Sequence, residues 1–243
     1  MAQKDFEASP PATGGARDLA ADLVTNAAIA VRTIEKGLEF AQAEAAANAA
    51  LAHRHPDVRS AAISALATLG VLSCDDLEVA VGDEAPVVRR RAVEATADLV
   101  QHGSTDSSQA ERWARLLITS LGDESVVAEV AAFGLGEFGP APPHLSPPVL
   151  TDAAAALEAM AAGHKDALCR ESAVAALGAL HSGRSTVLAA MNDKATVRRR
   201  AVLALSPFDG QDVDAAIKAA LNDRDWQVRQ AAEDQVAARN GES

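Results

Sequence analysis

Tyrosine is absent from these 243 residues, and the remaining aromatics are five phenylalanines and two tryptophans. A chain this poor in tyrosine, phenylalanine and threonine has little with which to build pleated sheet. The only cysteines, Cys74 and Cys169, lie far apart. They give neither a disulfide framework nor a zinc spacing, and they suit a reducing compartment. No window holds the roughly 18 uninterrupted apolar residues that a membrane span requires. Basic residues are outnumbered: 22 lysines and arginines against 34 aspartates and glutamates leave a net charge of −12. A field of that sign repels nucleic acid, whose binders need a basic footprint. Catalytic signatures are missing too. There is no G-x-S-x-G elbow and no glycine loop placed to cradle phosphate. None of His53, His55, His102, His144, His164 and His181 is followed by glutamate. Residues 1–15 carry Lys4, Asp5 and Glu7, then Pro10, Pro11, Gly14 and Gly15, with no apolar h-region. They read as a disordered tail rather than a signal peptide, and the expected location is cytoplasmic.

What the chain does have is alanine, which supplies much of its 49% hydrophobic content. Alanine is the best helix former, and small side chains let helices approach closely. One segment recurs six times. It reads PDVRSAAISALATLG from Pro56, PVVRRRAVEATADLV from Pro86, SVVAEVAAFGLGEFG from Ser125, ALCRESAVAALGAL from Ala167, ATVRRRAVLALSPF from Ala195 and WQVRQAAEDQVAA from Trp226. The alignment puts Arg59, Arg89, Ala128, Arg170, Arg198 and Arg229 at one register, in steps of 30, 39, 42, 28 and 31 residues. Each copy is amphipathic. In the first, Val58, Ala62, Leu66 and Leu69 form the stripe expected to be buried. Pro56 and Pro86 sit where a first helical turn tolerates a missing N–H. A shorter apolar segment precedes most copies, at 77–81, 113–121, 150–160, 187–191 and 213–221, so the unit is a helix pair.

The joints repeat as well. Gly82-Asp83, Gly122-Asp123, Asn192-Asp193 and Asn222-Asp223 each follow a first helix. Glycine or asparagine there predicts a left-handed terminating residue. The aspartate predicts a cap on the next helix and an ion pair with the arginine five or six residues on, in its own repeat.

An aspartate, then Val-Arg, then an alanine-rich run ending in Leu-Gly resembles the short HEAT repeats of roughly thirty residues first named for phycobilin lyases. The resemblance covers residues 53–240. It implies an all-α, right-handed α-solenoid of about six HEAT-like helix pairs, one domain over 16–243. Residues 16–52 would cap it as one long helix or a broken pair, with Leu19, Leu23, Ala27, Ile34, Leu38 and Ala45 in a stripe. At the far end Glu233 and Asp234 turn the last helix polar, as a terminal repeat requires.

In that architecture the surface lined by second helices is concave. Arg90, Arg91, Arg199 and Arg200 are expected to point onto it, along with Glu94, Glu129, Glu137, Glu171, Phe133 and Leu203. The result is a groove with basic ends, an acidic centre and two apolar anchors, which suits a protein partner better than a polyanion. The expected function is therefore a protein-binding adaptor or scaffold with no catalysis, cofactor, metal or membrane association of its own. Two rivals come with the resemblance. Alkylpurine DNA glycosylases of HEAT-like fold need a basic track and base-holding aromatics. Trp113 and Trp226 are read instead as structural, Trp226 packing between repeats. Lyase-like chaperones present a cofactor, and no residue here argues for tetrapyrrole. The insertions at 101–109 and 139–149 emerge on one edge, as binding loops or as spacers.

Overall fold

A computed structural model describes residues 37–102, 106–140, 142 and 144–241. Among the described residues there are twelve helices and no strand. They belong to two compact units, one ending at Leu72 and one beginning at Ser73.

In the first unit α1 (Gly37–Ala50) packs on α2 (Pro56–Leu69). Pro56 occupies the first turn of α2, and Val58, Ala62, Leu66 and Leu69 are buried as the stripe requires. The helix stops at Gly70, whose φ of 72° only glycine adopts without strain; there Gly70 N–H reaches the Ala67 carbonyl and Val71 N–H the Leu66 carbonyl. On α1 the expected stripe is corrected. Ala45 is exposed, and the packed face runs through Phe40, Ala43, Ala47 and Ala50. Those spacings of three, four and three keep one side of a 3.6-residue helix against α2. The 1–15 tail and the stripe positions at 19–34 lie outside the described residues.

The second unit holds five helix pairs. They are α3 (Cys74–Ala80) with α4 (Pro86–His102), α5 (Ser107–Ser120) with α6 (Ser125–Gly136), and α7 (Pro147–Gly163) with α8 (Ala167–Ala179). Next come α9 (Arg184–Ala190) with α10 (Ala195–Ala204) and α11 (Gln211–Ala220) with α12 (Trp226–Gly241). The second helices α4, α6, α8, α10 and α12 pack in that order as one layer, while α3, α5, α7 and α9 form the other. Between the layers Leu77, Leu117, Leu157, Leu177, Val174 and Val202 are wholly buried. Emptying one such leucine site to alanine costs about 2–5 kcal/mol. Glu233 and Asp234 on α12 are exposed.

The described residues of the two insertions join helices or pack against them. Of 101–109, the first two residues finish α4 and the last three begin α5, whose Ser108 N–H bonds to the capping Asp106. In the 139–149 segment Leu145 and Val149 are buried against Ala110 and Ala114 of α5.

Two expectations about the joints fail. Gly82, Gly122, Asn192 and Asn222 are not left-handed; positive φ falls at Gly70, Gly139, His181, Gly183 and Gly210 among the described residues. The first helices instead tighten into a final 3₁₀ turn. Gly82, Gly122, Asn192 and Asn222 each donate N–H to the carbonyl three residues back, and so does the aspartate that follows each. Nor do Asp123, Asp193 and Asp223 pair within their own repeats. Arg89 reaches forward to Asp123 (2.6 and 2.7 Å), Arg170 to Asp193 (2.6 and 2.7 Å) and Arg198 to Asp223 (2.8 and 2.7 Å). Each is a bidentate pair between successive repeats. The remaining guanidinium nitrogen bonds its own loop: Arg89 to the Asp83 carbonyl, Arg170 to that of His164, Arg198 to that of Asp193. Arg89, Arg170 and Arg198 thus each clamp two loops. The arginine bond holds Asp123, Asp193 and Asp223 below the usual carboxylate range and raises Arg89, Arg170 and Arg198. The aspartates bond loop N–H groups (Asp83 to Ala85, Asp123 to Glu124), while the first-turn N–H groups of α8 and α12 are capped by Asp166 and Asp225.

Candidate cleft on the second-helix face

The outward face of each second helix follows an i, i+3, i+7 spacing. On α6 it runs Val126, Glu129, Phe133 and Glu137; on α8 it runs Leu168, Glu171 and Ser172, Ala175 and Ala179. Side-chain size on these rows makes a depression. Alanines 175 and 179 leave the middle of α8 low, while Phe133 of α6 and Arg200 of α10 stand on either side. The outcome is a cleft of about 330 Å³ lined by Glu129, Phe133, Glu137, Leu168, Glu171 and Arg200 over an alanine floor. A second cleft continues from Arg200, Ala175 and Ala179 to Leu203 and Pro207.

Five of the ten expected residues therefore meet in one place: Glu129, Phe133, Glu137, Glu171 and Arg200. Leu203 is half-buried and lines the adjoining cleft. Arg90, Arg91, Glu94 and Arg199 lie outside both. Phe133 is 55% exposed, unusual for a phenylalanine at the centre of a packed layer.

The charges are less simply divided than the sequence implies. Arg90 and Arg91 both bind Glu94, each at 2.8 Å, so one carboxylate offsets one of the two positive charges at the α4 end. Arg200 reaches back to Glu171 at 3.3 Å, and its cation sits inside the acidic region. Arg199 is exposed and makes no ion pair among the described residues.

Leu168 escaped the sequence reading, yet it is also 55% exposed and lines the cleft. Its position three residues before Glu171 was the available signal. Trp226 corrects another expectation: it is 64% exposed and packs between no repeats, whereas Trp113 is buried. Cys169 is buried, and desolvation pushes its thiol up, as befits an inert core residue. Gly134, Gly136 and Gly139 spell G-x-G-x-x-G, but the run lies within and just after α6, with Gly134 against Leu117 and Ala97 and Gly136 against Ala176. Gly134 and Gly136 are packing glycines, and Gly139 takes a φ of 68° in open space after the helix; among the described residues no strand precedes them, so they cradle no phosphate. Among the described residues no three His, Cys, Asp or Glu side chains converge to hold a metal, and no helix is long and apolar enough to cross a membrane.

No family model matches the sequence, and no curated protein matches it. Solved structures do. An engineered protein is 16% identical with a TM-score of 0.57, covering 91% of this chain and 62% of its own. YibA of Escherichia coli is 14% identical with a TM-score of 0.56, covering 98% and 78%. A designed armadillo repeat protein in complex with the peptide (KR)4 is 14% identical with a TM-score of 0.50, covering 89% and 98%. At these identities the likeness concerns fold alone. Paired helices in two layers and these neighbours together make the chain an α-solenoid of the armadillo/HEAT-like kind.

Proposed function

We propose that this chain is an adaptor that binds another protein, taking a segment of it into the cleft over α6, α8 and α10. One observation carries the reading: Phe133 and Leu168, each more than half exposed, flank the same alanine-floored cleft. Exposed apolar anchors beside a depression gain the most free energy when a partner covers them. The designed armadillo protein bound to (KR)4 supports it, as a solenoid of this kind that seats a peptide. Arg90, Arg91, Glu94 and Arg199 then act as rim charges that steer association rather than hold the complex. A polyanion fits poorly, since Glu129, Glu137 and Glu171 outnumber Arg200 in the cleft.

Selection of short random peptides on the wild-type chain provides the test. The expected binders lose about 1–3 kcal/mol of affinity on Phe133→Ala. Circular dichroism should stay unchanged, because the side chain is exposed. Peptides that bind equally well to Phe133→Ala and Leu168→Ala would show that the cleft is not the site.

A further inference from the structure

Glu129 and Glu137 stand four residues before and four residues after Phe133. Their carboxylates therefore flank the ring by one helical turn on either side of one face. All three residues line the cleft. The cations nearby are already engaged, Arg90 and Arg91 with Glu94 and Arg200 with Glu171. Among the described residues neither Glu129 nor Glu137 forms an ion pair, so an exposed aromatic ring is bracketed by two uncompensated carboxylates.

The occupant has to satisfy both features. An apolar side chain over Phe133 would bury the ring but desolvate two carboxylates without giving them partners. An acidic one would be repelled. A guanidinium is planar and weakly hydrated; it stacks on an aromatic face while its edge N–H groups donate to carboxylates. An ammonium is more tightly hydrated and cannot stack in that way. We propose that the partner segment is basic, with an arginine side chain lying over Phe133 between Glu129 and Glu137 and an apolar neighbour against Leu168. This rests on the reading of the cleft as a protein-binding site.

Two labelled peptides test it by fluorescence anisotropy with the full chain at physiological ionic strength. One alternates arginine and leucine; in the other, citrulline replaces each arginine, keeping the planar group and removing its charge. The arginine peptide should bind roughly tenfold tighter or more. The Glu129→Gln/Glu137→Gln double variant should erase most of that difference and leave the citrulline peptide unchanged. Phe133→Leu, which keeps apolar bulk but removes the ring, should weaken the arginine peptide by roughly threefold. Equal affinity for the two peptides would overturn the proposal. If Phe133→Ala still weakened both, the protein-binding reading would survive with an apolar occupant. An arginine preference that persists in the double variant would place charge recognition elsewhere and overturn the proposal too. Failure of the arginine peptide to bind the wild type would do the same.

Discussion

Asp193 belongs to two repeats at once. Its carboxylate receives Arg170 of the preceding repeat at 2.6 and 2.7 Å, while its carbonyl accepts from Arg198 of its own at 2.8 Å. Substituting alanine removes the first contact and keeps the second. The expected loss is about 2 kcal/mol, because a mostly buried guanidinium is left without its counter-ion. A double-mutant cycle by urea denaturation should give about 1 kcal/mol or more of coupling between Asp193 and Arg170, and close to none between Asp193 and Arg198. The opposite ranking would restore pairing within the repeat. The forward direction had a trace in the sequence. The one copy without the arginine, at Ala128, is followed by the loop in which His164 stands where the loops at 83, 123, 193 and 223 carry aspartate. There the imidazole takes over the local task alone, its Nδ1 accepting from Asp166 N–H at 3.1 Å. Spacing along the chain favoured the nearer aspartate; only the direction in which each guanidinium points separates the two.

At the scale of the element, α8 and α10 approach through Gly178. A Cβ placed there would stand 2.7 Å from the Ala204 Cβ and 2.8 Å from its Cα, so the two helices would have to separate. Gly178→Ala should therefore destabilise by about 1–3 kcal/mol, despite alanine's better helix propensity. It should also open the pair that sets Arg200 against Glu171. Gly82 is the counterpart. Its φ is not positive, and a Cβ there would meet only the Val79 carbonyl at an ordinary 3.5 Å. Gly82→Ala should be neutral or stabilising by about 0.5 kcal/mol. A left-handed joint would instead make that change costly, so a comparison of thermal midpoints for the two variants checks the 3₁₀ ending directly. The sequence marked where four of the first helices end, since Gly or Asn with Asp recurs there. It did not mark how the helix ends, because a left-handed residue and a 3₁₀ turn both tolerate those residues.

Across the whole molecule, the ladder aspartates couple stability to pH. Their folded-state values are lowered by the arginines, so the stability they contribute is complete above the unfolded aspartate value of about 4. It is lost as pH falls through the folded-state values. The urea midpoint should be flat from neutral pH to about 5 and drop steeply below about 4. Asp123→Asn/Asp223→Asn should start lower and show a shallower acid limb. Self-repulsion from the net charge of −12 eases on acidification and acts in the other direction, so the titration belongs in moderate salt, where it is screened. An acid limb unchanged in the double variant would assign the transition to other carboxylates. The paired-helix solenoid, its repeat length and the inward stripes were determined by the sequence itself, because a 3.6-residue apolar period recurs in six copies and a stop signal in four, and both are local. Which loop each arginine holds, that Trp226 stays at the surface, and that Leu168 joins Phe133 and Arg200 around one cleft were decided only in the tertiary structure. Those outcomes depend on side-chain reach and relative size between repeats, with the arginine–aspartate pairs 34, 23 and 25 residues apart in the chain, and no local pattern encodes that reach.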